Sequence, residues 1–451
     1  MTDSASSCRT PASQPLMACQ ECDLLQRIPP LPIGGKALCA RCGYSLAARP
    51  TDPLQIPLAL TVTAAIVFVV ANVTPMIGLS AVGRHASTTI VGGAWQLWHE
   101  GEKIAAAIVM FCGVIAPAFF MVLMLAVLLT ARRSQRARLP HWVGEILRWS
   151  LHMQPWSMYD VMSLGVLVAL IKIAQLASVD PGIGMYAMGL LAVLVPAIMV
   201  SFDAREIWKL VDWETGKEAS TQAVDQASLA GGRAMSLSLS TAARTAAQMG
   251  LVSCETCKLL SRPVHPEDPG HCPRCGAELE FRRAYSLQRT WALVIAAAVC
   301  YIPANMLPMM ATSTFASSEA DTIMGGVVYL FASGSWPLAL IVLIASVMVP
   351  LGKLVALAYL LISVHRGMRG GCHQRARLYR MVELIGRWSM LDVFVVTFTV
   401  ALVQLEPLMV VRPGPAVLFF AVVVVLTMIA AETFDPRLIW DAAGPMENEN
   451  D

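Results

Sequence analysis

The chain is built from long apolar stretches separated by shorter polar segments. A helix needs about 20 apolar residues to cross the hydrocarbon of a bilayer. Eight stretches approach or exceed that length: residues 54–80, 104–130, 158–178, 183–201, 288–312, 336–364, 389–408 and 415–433. The pattern predicts an all-α polytopic membrane protein with eight transmembrane helices.

Composition agrees with this prediction. Of the 451 residues, 56% are hydrophobic and only 14% are charged, which is far from the usual balance of a soluble domain. The net charge of +2 and the absence of a continuous basic stripe exclude a typical nucleic-acid-binding protein. We therefore expect the partners to be membrane components and no nucleic acid.

One unit is written twice along the chain. Four motifs of the first half recur in the same order in the second. They are ANVTPM and ANMLPM, TIVGGAWQLWHEG and TIMGGVVYLFASG, WSMYDV and WSMLDV, and FDAREIW and FDPRLIW. Each half contains four predicted spans, so both halves would insert with the same orientation. We predict two tandem four-helix repeats.

A pair of CxxC motifs precedes each repeat. The first pair is Cys19, Cys22, Cys39 and Cys42, and the second is Cys254, Cys257, Cys272 and Cys275. Four thiolates in two CxxC turns are the ligand set of a closed tetrahedral zinc site. Gly43 and Gly276 directly follow the last cysteine, where a positive φ lets the backbone fold around the sulfurs. The pattern predicts two structural zinc ions, one per ribbon; a thiol redox pair and an iron–sulfur centre remain alternatives.

The positive-inside rule predicts the orientation. Arginines cluster between the second and third spans and again between the sixth and seventh, whereas the opposite loops are poor in Lys and Arg. Both termini and both ribbons should then be cytoplasmic. The predicted divisions are a disordered N-terminus (1–15), zinc ribbon 1 (16–50), transmembrane repeat 1 (51–210), a flexible cytoplasmic linker (211–250), zinc ribbon 2 (251–285), transmembrane repeat 2 (286–440) and a C-terminal tail (441–451).

Charged residues inside spans are costly, about 3 kcal/mol at the bilayer centre, and each needs a partner or a wet cavity. The predicted spans contain four of them: Asp160 and Lys172 in the third, Lys353 in the sixth and Asp392 in the seventh. Lys353 is deep, and the equivalent position in the first repeat is Phe120, so the duplicated fold does not require a lysine there. We expect it to line a polar cavity or relay. Asp160 and Asp392 could equally cap helix ends.

Further polar residues extend this candidate set. Gln404 takes the position equivalent to Lys172, and Asn72 and Asn305 of the ANxxPM motifs could form hydrogen bonds between helices. Pro75 and Pro308 lack an N–H and are expected to kink their helices. Such kinks suit a cavity and plain packing equally.

Two glycine-containing segments, residues 89–101 and 322–334, are too short to span a bilayer. Each could be a re-entrant or interfacial element or an ordinary outer loop. The chain has no Walker motif, no HExxH and no evident Ser/His/Asp set. We therefore do not expect an enzyme or a chain that pumps with ATP by itself.

The paired CxxC modules together with the doubled ANxxPM, GG, WSMxDV and FDxRxIW motifs resemble the paraquat-inducible protein A family, from Cys19 to Trp440. The resemblance implies a multi-pass protein of the bacterial inner membrane that exchanges phospholipid or another membrane lipid with a periplasmic MCE-family tunnel protein. Lys353, Asp392, Lys172 and Asp160 are the candidate headgroup or proton-relay residues. The alternatives are a zinc-ribbon scaffold or regulator that moves nothing, and a CxxC thiol oxidoreductase.

Overall fold

The structure is a computed structural model of the whole chain. It describes residues 16–50, 52–81, 84–99, 101, 103–134, 139–173, 178–211, 221–223, 245–263, 265, 269–314, 318–332, 334, 336–386, 394–395, 404–405 and 409–441. The predicted N-terminal tail (1–15), most of the predicted linker and most of the seventh predicted span lie outside these residues.

The first part of the chain contains four short strands, a set of helices and three further strands. They are β1 (Leu16–Ala18), β2 (Leu25–Arg27), β3 (Lys36–Leu38), β4 (Ser45–Ala48), α1 (Gln55–Val73), β5 (Ile77–Ala81), β6 (Arg84–Thr88), α2 (Ile90–His99), α3 (Lys103–Met110), α4 (Ala116–Arg133), α5 (His141–Met153), α6 (Tyr159–Ile173), β7 (Ser178–Pro181), α7 (Ile183–Ser201) and α8 (Ala204–Leu210).

The second part repeats this order after three strands. Its elements are β8 (Thr221–Ala223), β9 (Val252–Ser253), β10 (Leu260–Pro263), α9 (Ser286–Met306), β11 (Met310–Thr314), β12 (Ser318–Asp321), α10 (Ile323–Ala332), α11 (Trp336–Leu343), α12 (Val349–His365), α13 (Cys372–Gly386), β13 (Gln404–Leu405), β14 (Met409–Pro413), α14 (Ala416–Thr433) and α15 (Leu438–Asp441). The segments predicted as re-entrant elements or loops contain the ten-residue helices α2 and α10.

Six helices among the described residues are long and apolar enough to cross a membrane. They are Gln55–Val73, Ala106–Arg133, Ile183–Ser201, Ser286–Met306, Ala339–His365 and Ala416–Thr433. The third predicted span coincides with α6, which has 15 residues. Only residues 394–395 and 404–405 of the seventh are described. The prediction of eight spans therefore stays a prediction beyond these six.

The prediction of an all-α protein needs correction, because the chain is mostly helical but also contains strands. Strands β6, β5 and β7 form one antiparallel sheet, and β12, β11, β14 and β13 form another. The first sheet includes β5, which follows α1, and the second includes β11, which follows α9. Several predicted spans are consequently too long: the helix predicted for 389–408 cannot include Gln404, which begins β13.

Pro75 and Pro308 do not kink helices, contrary to the prediction, because α1 ends at Val73 and α9 at Met306. A glycine instead approaches the backbone near each proline, Gly182 of the sequence VDPG in the first half and Gly414 of the sequence VRPG in the second. Gly182 N donates to Met76 O (2.9 Å) and Gly414 N to Met309 O (2.8 Å). A Cβ at Gly182 would lie 2.2 Å from Pro75 O, and one at Gly414 2.1 Å from Pro308 O, so only glycine fits.

Two long spans contain a π-helical turn at equivalent positions, Phe111–Ile115 and Ile344–Met348. Pro117 follows the first turn and cannot donate to the carbonyl four residues earlier, that of Gly113. The Tyr159 hydroxyl donates to this carbonyl instead, at 3.0 Å. In the second half Tyr301 donates to Val347 O at 3.2 Å. These bonds satisfy buried carbonyls and attach neighbouring helices to the turns.

The two halves share one large apolar core, which contains Phe120 and Met124 from the first half and Phe420 and Val424 from the second. Within the halves, α1 packs most extensively on α7 and α9 on α14. The cysteine-bearing segments precede α1 and α9, whereas strands β5 and β11 directly follow these helices.

Candidate functional site

Residues 16–50, hereafter module 1, hold the first four cysteines around one point. Strands β1 and β2 form one hairpin and β3 and β4 another. The backbone N–H groups of Asp23 and Gly43 donate to the carbonyls of Cys19 and Cys39, both at 2.9 Å, which closes a tight turn at each CxxC pair. Gly43 has φ 72°, as the sequence predicts. The turns direct all four sulfurs inward.

Residues 251–285, hereafter module 2, repeat this construction. Lys258 N and Gly276 N donate to the carbonyls of Cys254 and Cys272 at 3.0 and 2.9 Å. Gly276 has φ 66°. Sequence reasoning did not anticipate that Asp23 and Lys258, at equivalent positions in the first turn of each module, also take positive φ, both at 59°.

Each set of four sulfurs could hold a metal ion. All Sγ atoms of a set lie within 4.8 Å of one another, and all eight cysteines are buried free thiols. The shortest separations are 3.5 Å in module 1 and 3.4 Å in module 2. A tetrahedral ion with Zn–S bonds of about 2.3 Å separates its sulfurs by about 3.8 Å. Four clustered thiolates repel one another unless a cation lies between them, so the donor set fits a metal such as zinc.

Each module packs on the opposite half of the chain. The cysteines of module 1 share a buried cluster with Leu357, Tyr379 and Trp440 of the second half. The cysteines of module 2 share one with Leu147 and Trp208 of the first half. Because each module is covalently joined to one half and packs its cysteines against the other, the modules connect the two halves.

Charged contacts fix this crossed arrangement. In module 1, the two carboxylate oxygens of Glu21 accept a bifurcated hydrogen bond from Arg380 Nε, at 2.8 and 3.0 Å, and Arg41 lies over the Trp440 ring at 4.6 Å. Arg282, near the end of module 2, bridges Asp23 of module 1 (3.2 Å) and Asp441 of the second half (2.7 Å). These groups are partly buried, which strengthens their attraction relative to surface pairs.

A second ion pair lies just beyond the last span. Arg437 Nε donates to Asp435 Oδ1 at 2.9 Å, and Arg437 Nη2 contacts Glu255 of module 2 at 3.2 Å. Burial alone would raise the pKa of the Asp435 carboxyl. The hydrogen bond and charge of Arg437, with backbone N–H donors from Arg283 and Arg437, hold that pKa below its ordinary value.

Lys353 forms a polar site inside the second half. Its side chain is only 2% exposed, on helix α12. Its Nζ donates to Thr427 Oγ1 of α14 at 2.9 Å and to Gly386 O at 3.4 Å. Ser346 lies two helical turns before Lys353, fully buried, with a hydroxyl that has no partner among the described residues. The arrangement places a lysine and two hydroxyls inside an apolar bundle.

The first half has no equivalent of this site among the described residues. The positions equivalent to Lys353 and Thr427 are Phe120 and Val195, and both side chains are buried in the core. Sequence reasoning identified Lys353 but missed Thr427. The available signal was a threonine inside an apolar helix whose counterpart in the other repeat is a valine.

The other predicted polar residues do not join Lys353 among the described contacts. Asn72 and Asn305 donate to carbonyls of their own helices, Phe68 O and Tyr301 O, both at 2.9 Å. Asp160 is half-buried in the first turn of α6. Lys172 lies on α6 and Gln404 in β13, without described side chains, and Asp392 lies outside the described residues.

An apolar cavity of about 420 Å³ lies between the halves. It is lined by Trp98, Ala107, Ile108, Phe111, Cys112 and Trp156 of the first half and by Val425 of α14, and Lys103 is the charged residue among them. A cavity of this size and character suits an apolar ligand segment.

Six membrane-length helices, two four-cysteine modules at one end and an apolar cavity between duplicated halves define a multi-pass membrane protein with two candidate metal centres. The sequence profile of paraquat-inducible protein A matches residues 54–212 and again 287–444. The chain belongs to this family.

Three relatives cover nearly the whole chain. The intermembrane transport protein PqiA of Escherichia coli (strain K12) is 32% identical over 96% of this chain and 97% of its own length. The lipophilic envelope-spanning tunnel protein A of the same strain is 29% identical over 94% of this chain and 91% of its own length. A probable intermembrane transport protein of Haemophilus influenzae is 25% identical over 94% and 95%. No solved structure matches the chain.

Proposed function

We propose that this protein is the inner-membrane component of an intermembrane lipid transport system and that it exchanges lipids with a periplasmic MCE-family tunnel protein. Its relatives are named as intermembrane transport proteins and as an envelope-spanning tunnel protein. Their names refer to transport rather than catalysis, which favours a transporter over an enzyme. The cysteine modules and both termini would face the cytoplasm, in keeping with the arginine-rich loops.

The observation that carries the proposal is the apolar cavity between the halves. A lipid in transit must keep its acyl chain out of water, and a site formed by two halves can open and close as they move. Aliphatic and aromatic side chains from α3 and from the π-helical turn line one side of the cavity, and Val425 of α14 lines the other. Lys103 at the start of α3 would attract the phosphate of a bound lipid.

Lys353 and Thr427 would form the functional polar site of this transporter. The lysine is buried in the second half only, so packing of a duplicated fold does not account for it. A buried ammonium held by a hydroxyl and a carbonyl can exchange a proton or meet a headgroup when the halves move. The asymmetry favours one functional polar site per chain.

The modules would each bind one structural zinc ion through four thiolates. A closed four-thiolate site leaves no position for substrate, so the zinc stabilises the module and through it the crossed contact between the halves. This arrangement argues against a thiol oxidoreductase, whose cysteines need access to a substrate, because all eight are buried.

Photo-crosslinking tests the transport role against a scaffold role. A photoreactive amino acid replaces Ile108 in the cavity. As a control, it replaces Val122 of α4, whose side chain is 64% exposed. A transporter should give lipid adducts at both positions, and Ala107→Trp, which fills the cavity, should remove the adduct at 108 and lipid transfer to the partner. The adduct at 122 should persist. Unchanged transfer in Ala107→Trp would refute the proposal, and adducts at 122 alone would favour a scaffold.

A further inference from the structure

The two interfaces between modules and halves are built alike and can be compared residue by residue. Helices α5 and α13 bury the same four positions, Val143, Gly144, Leu147 and Ser150 in one and Arg375, Ala376, Tyr379 and Val382 in the other, each 232 residues apart. Asp203 and Asp435 likewise each accept a hydrogen bond from the backbone N–H two residues later, both at 3.0 Å. Side chains at equivalent positions of the two interfaces can therefore be compared directly.

At the interface of module 1 with the second half, both arginines are neutralised by carboxylates of a module. Arg380 of α13 is paired with Glu21 of module 1 at 2.7 Å. Arg437 is paired with Asp435 and with Glu255 of module 2. Arg380 and Arg437 are thus each provided with an anion from within the chain.

At the interface of module 2 with the first half, both module carboxylates are replaced by neutral side chains. The counterpart of Arg380 is Arg148, and the counterpart of Glu21 is Thr256. The counterpart of Arg437 is Arg205, and the counterpart of Glu255 is Gln20. Arg148 has no hydrogen bond or ion pair within the described part of the chain. The Arg205 guanidinium contacts only the Met17 sulfur there, at 3.9 Å.

An open cavity of about 670 Å³ lies at this interface. Arg148, Arg205, Thr256, Lys258, His152 and Trp208 are among its lining residues. Lys258 Nζ donates to Gln20 Oε1 at 2.8 Å and to Glu255 O at 2.7 Å, which leaves one of its three donors.

The two carboxylates that line the cavity among the described residues are bonded to other groups, although the charge of Glu255 also acts on Lys258. Asp203 caps α8 through the Arg205 N–H, and Glu255 is paired with Arg283 and Arg437. Arg148 and Arg205 thus present positive charge to the cavity with no hydrogen-bonded carboxylate among the described residues, and Lys258 lines the cavity with them. Grouped cations of this kind repel one another until an anion binds between them.

We infer that this cavity is a binding site for a phosphate oxyanion, which occupies the place that the Glu21 carboxylate takes at the equivalent interface. Arg148 and Arg205 would hold the oxyanion with charge-assisted hydrogen bonds, and Lys258 would contribute a third donor. The headgroup of a phospholipid fits this position, because Asp203 follows the span that ends at Ser201 and the neighbouring Trp149 is 54% exposed. The site is separate from the apolar cavity and does not depend on the proposed transfer function.

Calorimetric titration of the full-length protein in a maltoside detergent tests this inference. The probes are inorganic phosphate, short-chain phosphatidylglycerol and, as a ligand without phosphate, short-chain diacylglycerol. The informative variant is Thr256→Glu, which introduces the carboxylate that module 1 has at Glu21; Thr256→Gln matches its size without its charge. We expect Thr256→Glu and Arg148→Gln to weaken binding by about tenfold or more, and Thr256→Gln to bind like the unmodified protein.

A charge control and a folding control complete the test. Lys209→Gln removes a nearby cation of α8 that does not line the cavity, and it should change the affinity by less than about twofold. Metal content and thermal unfolding of each variant show whether module 2 is intact. Tighter binding of the phospholipid than of inorganic phosphate would identify a headgroup site, and equal binding would identify a soluble phosphate as the ligand. Equal affinity of Thr256→Glu and Thr256→Gln, or equal binding of diacylglycerol and phosphatidylglycerol, would overturn the inference.

Discussion

Replacement of Lys353 by methionine should separate stability from function. The ammonium lies at 2% exposure and is held by Thr427 Oγ1 at 2.9 Å and by Gly386 O at 3.4 Å. Methionine nearly matches the length of lysine without its charge, so the substitution removes the cost of keeping an ammonium away from water. We therefore expect Lys353→Met to unfold at the same temperature as the unmodified protein or a higher one.

Thr427→Val, in contrast, should lower the stability of the protein. It keeps the shape of the side chain but leaves a buried ammonium without its closest hydroxyl acceptor in the described structure, which costs about 1–3 kcal/mol. Thr427→Ser keeps the hydroxyl and serves as the matched control. Lipid transfer should be lost in Lys353→Met despite its stability, reduced in Thr427→Val, and largely retained in Thr427→Ser.

Thermal unfolding in detergent and lipid transfer to the partner protein are the two measurements. If Lys353 were a structural residue, Lys353→Met would lose stability and transfer together. Full transfer by a stable Lys353→Met protein would refute a functional role for the lysine. A Thr427→Val protein as stable as Thr427→Ser would show that the hydrogen bond between Lys353 and Thr427 contributes nothing.

Three further predictions concern other parts of the fold. Metal analysis should give two zinc ions per chain, and Cys22→Ser should reduce this to about one, because each module holds one ion; an unchanged ratio would contradict the assignment. Asp435→Asn should cost about 3 kcal/mol at neutral pH, since it leaves the buried Arg437 without its closest carboxylate. Because the folded-state pKa of Asp435 is below its ordinary value of 3.8, the difference in unfolding free energy should persist above pH 4 and shrink only as the pH falls further; a difference that vanishes between pH 5 and 7 would exclude this pair as its source. Gly182→Ala should strongly lower the yield of folded protein, because the added Cβ would lie 2.2 Å from Pro75 O; a matched Gly189→Ala change, which meets nothing within 4 Å, should be tolerated.

Several features followed from the sequence because they depend on local chemistry. Four cysteines in two CxxC turns must converge, and Gly43 and Gly276 have the positive φ that was predicted for them. The length of the apolar stretches predicted the long apolar helices. The predicted ends of α1 and α9 lie beyond Pro75 and Pro308, whereas the helices end before these prolines. Lys353 stood out because its counterpart in the other repeat is Phe120.

Other features depend on contacts between residues far apart in the chain. Hydrophobic periodicity does not reveal that a strand follows α1 or α9, because those strands are specified by pairing with β7 and β14 about 100 residues away. Thr427 could not be paired with Lys353 from the sequence, since 74 residues separate them.

Local patterns were enough to identify a duplicated membrane protein with two four-cysteine modules, because apolar length, thiol spacing and repeated motifs are properties of short stretches of chain. Which half each module covers became known only from the folded chain. Glu21 reaches Arg380 across 359 residues of chain, whereas Arg148 lines a cavity with Thr256, the counterpart of Glu21. Which charges are neutralised and which remain available to a ligand is settled by packing between distant segments, and no local pattern encodes it.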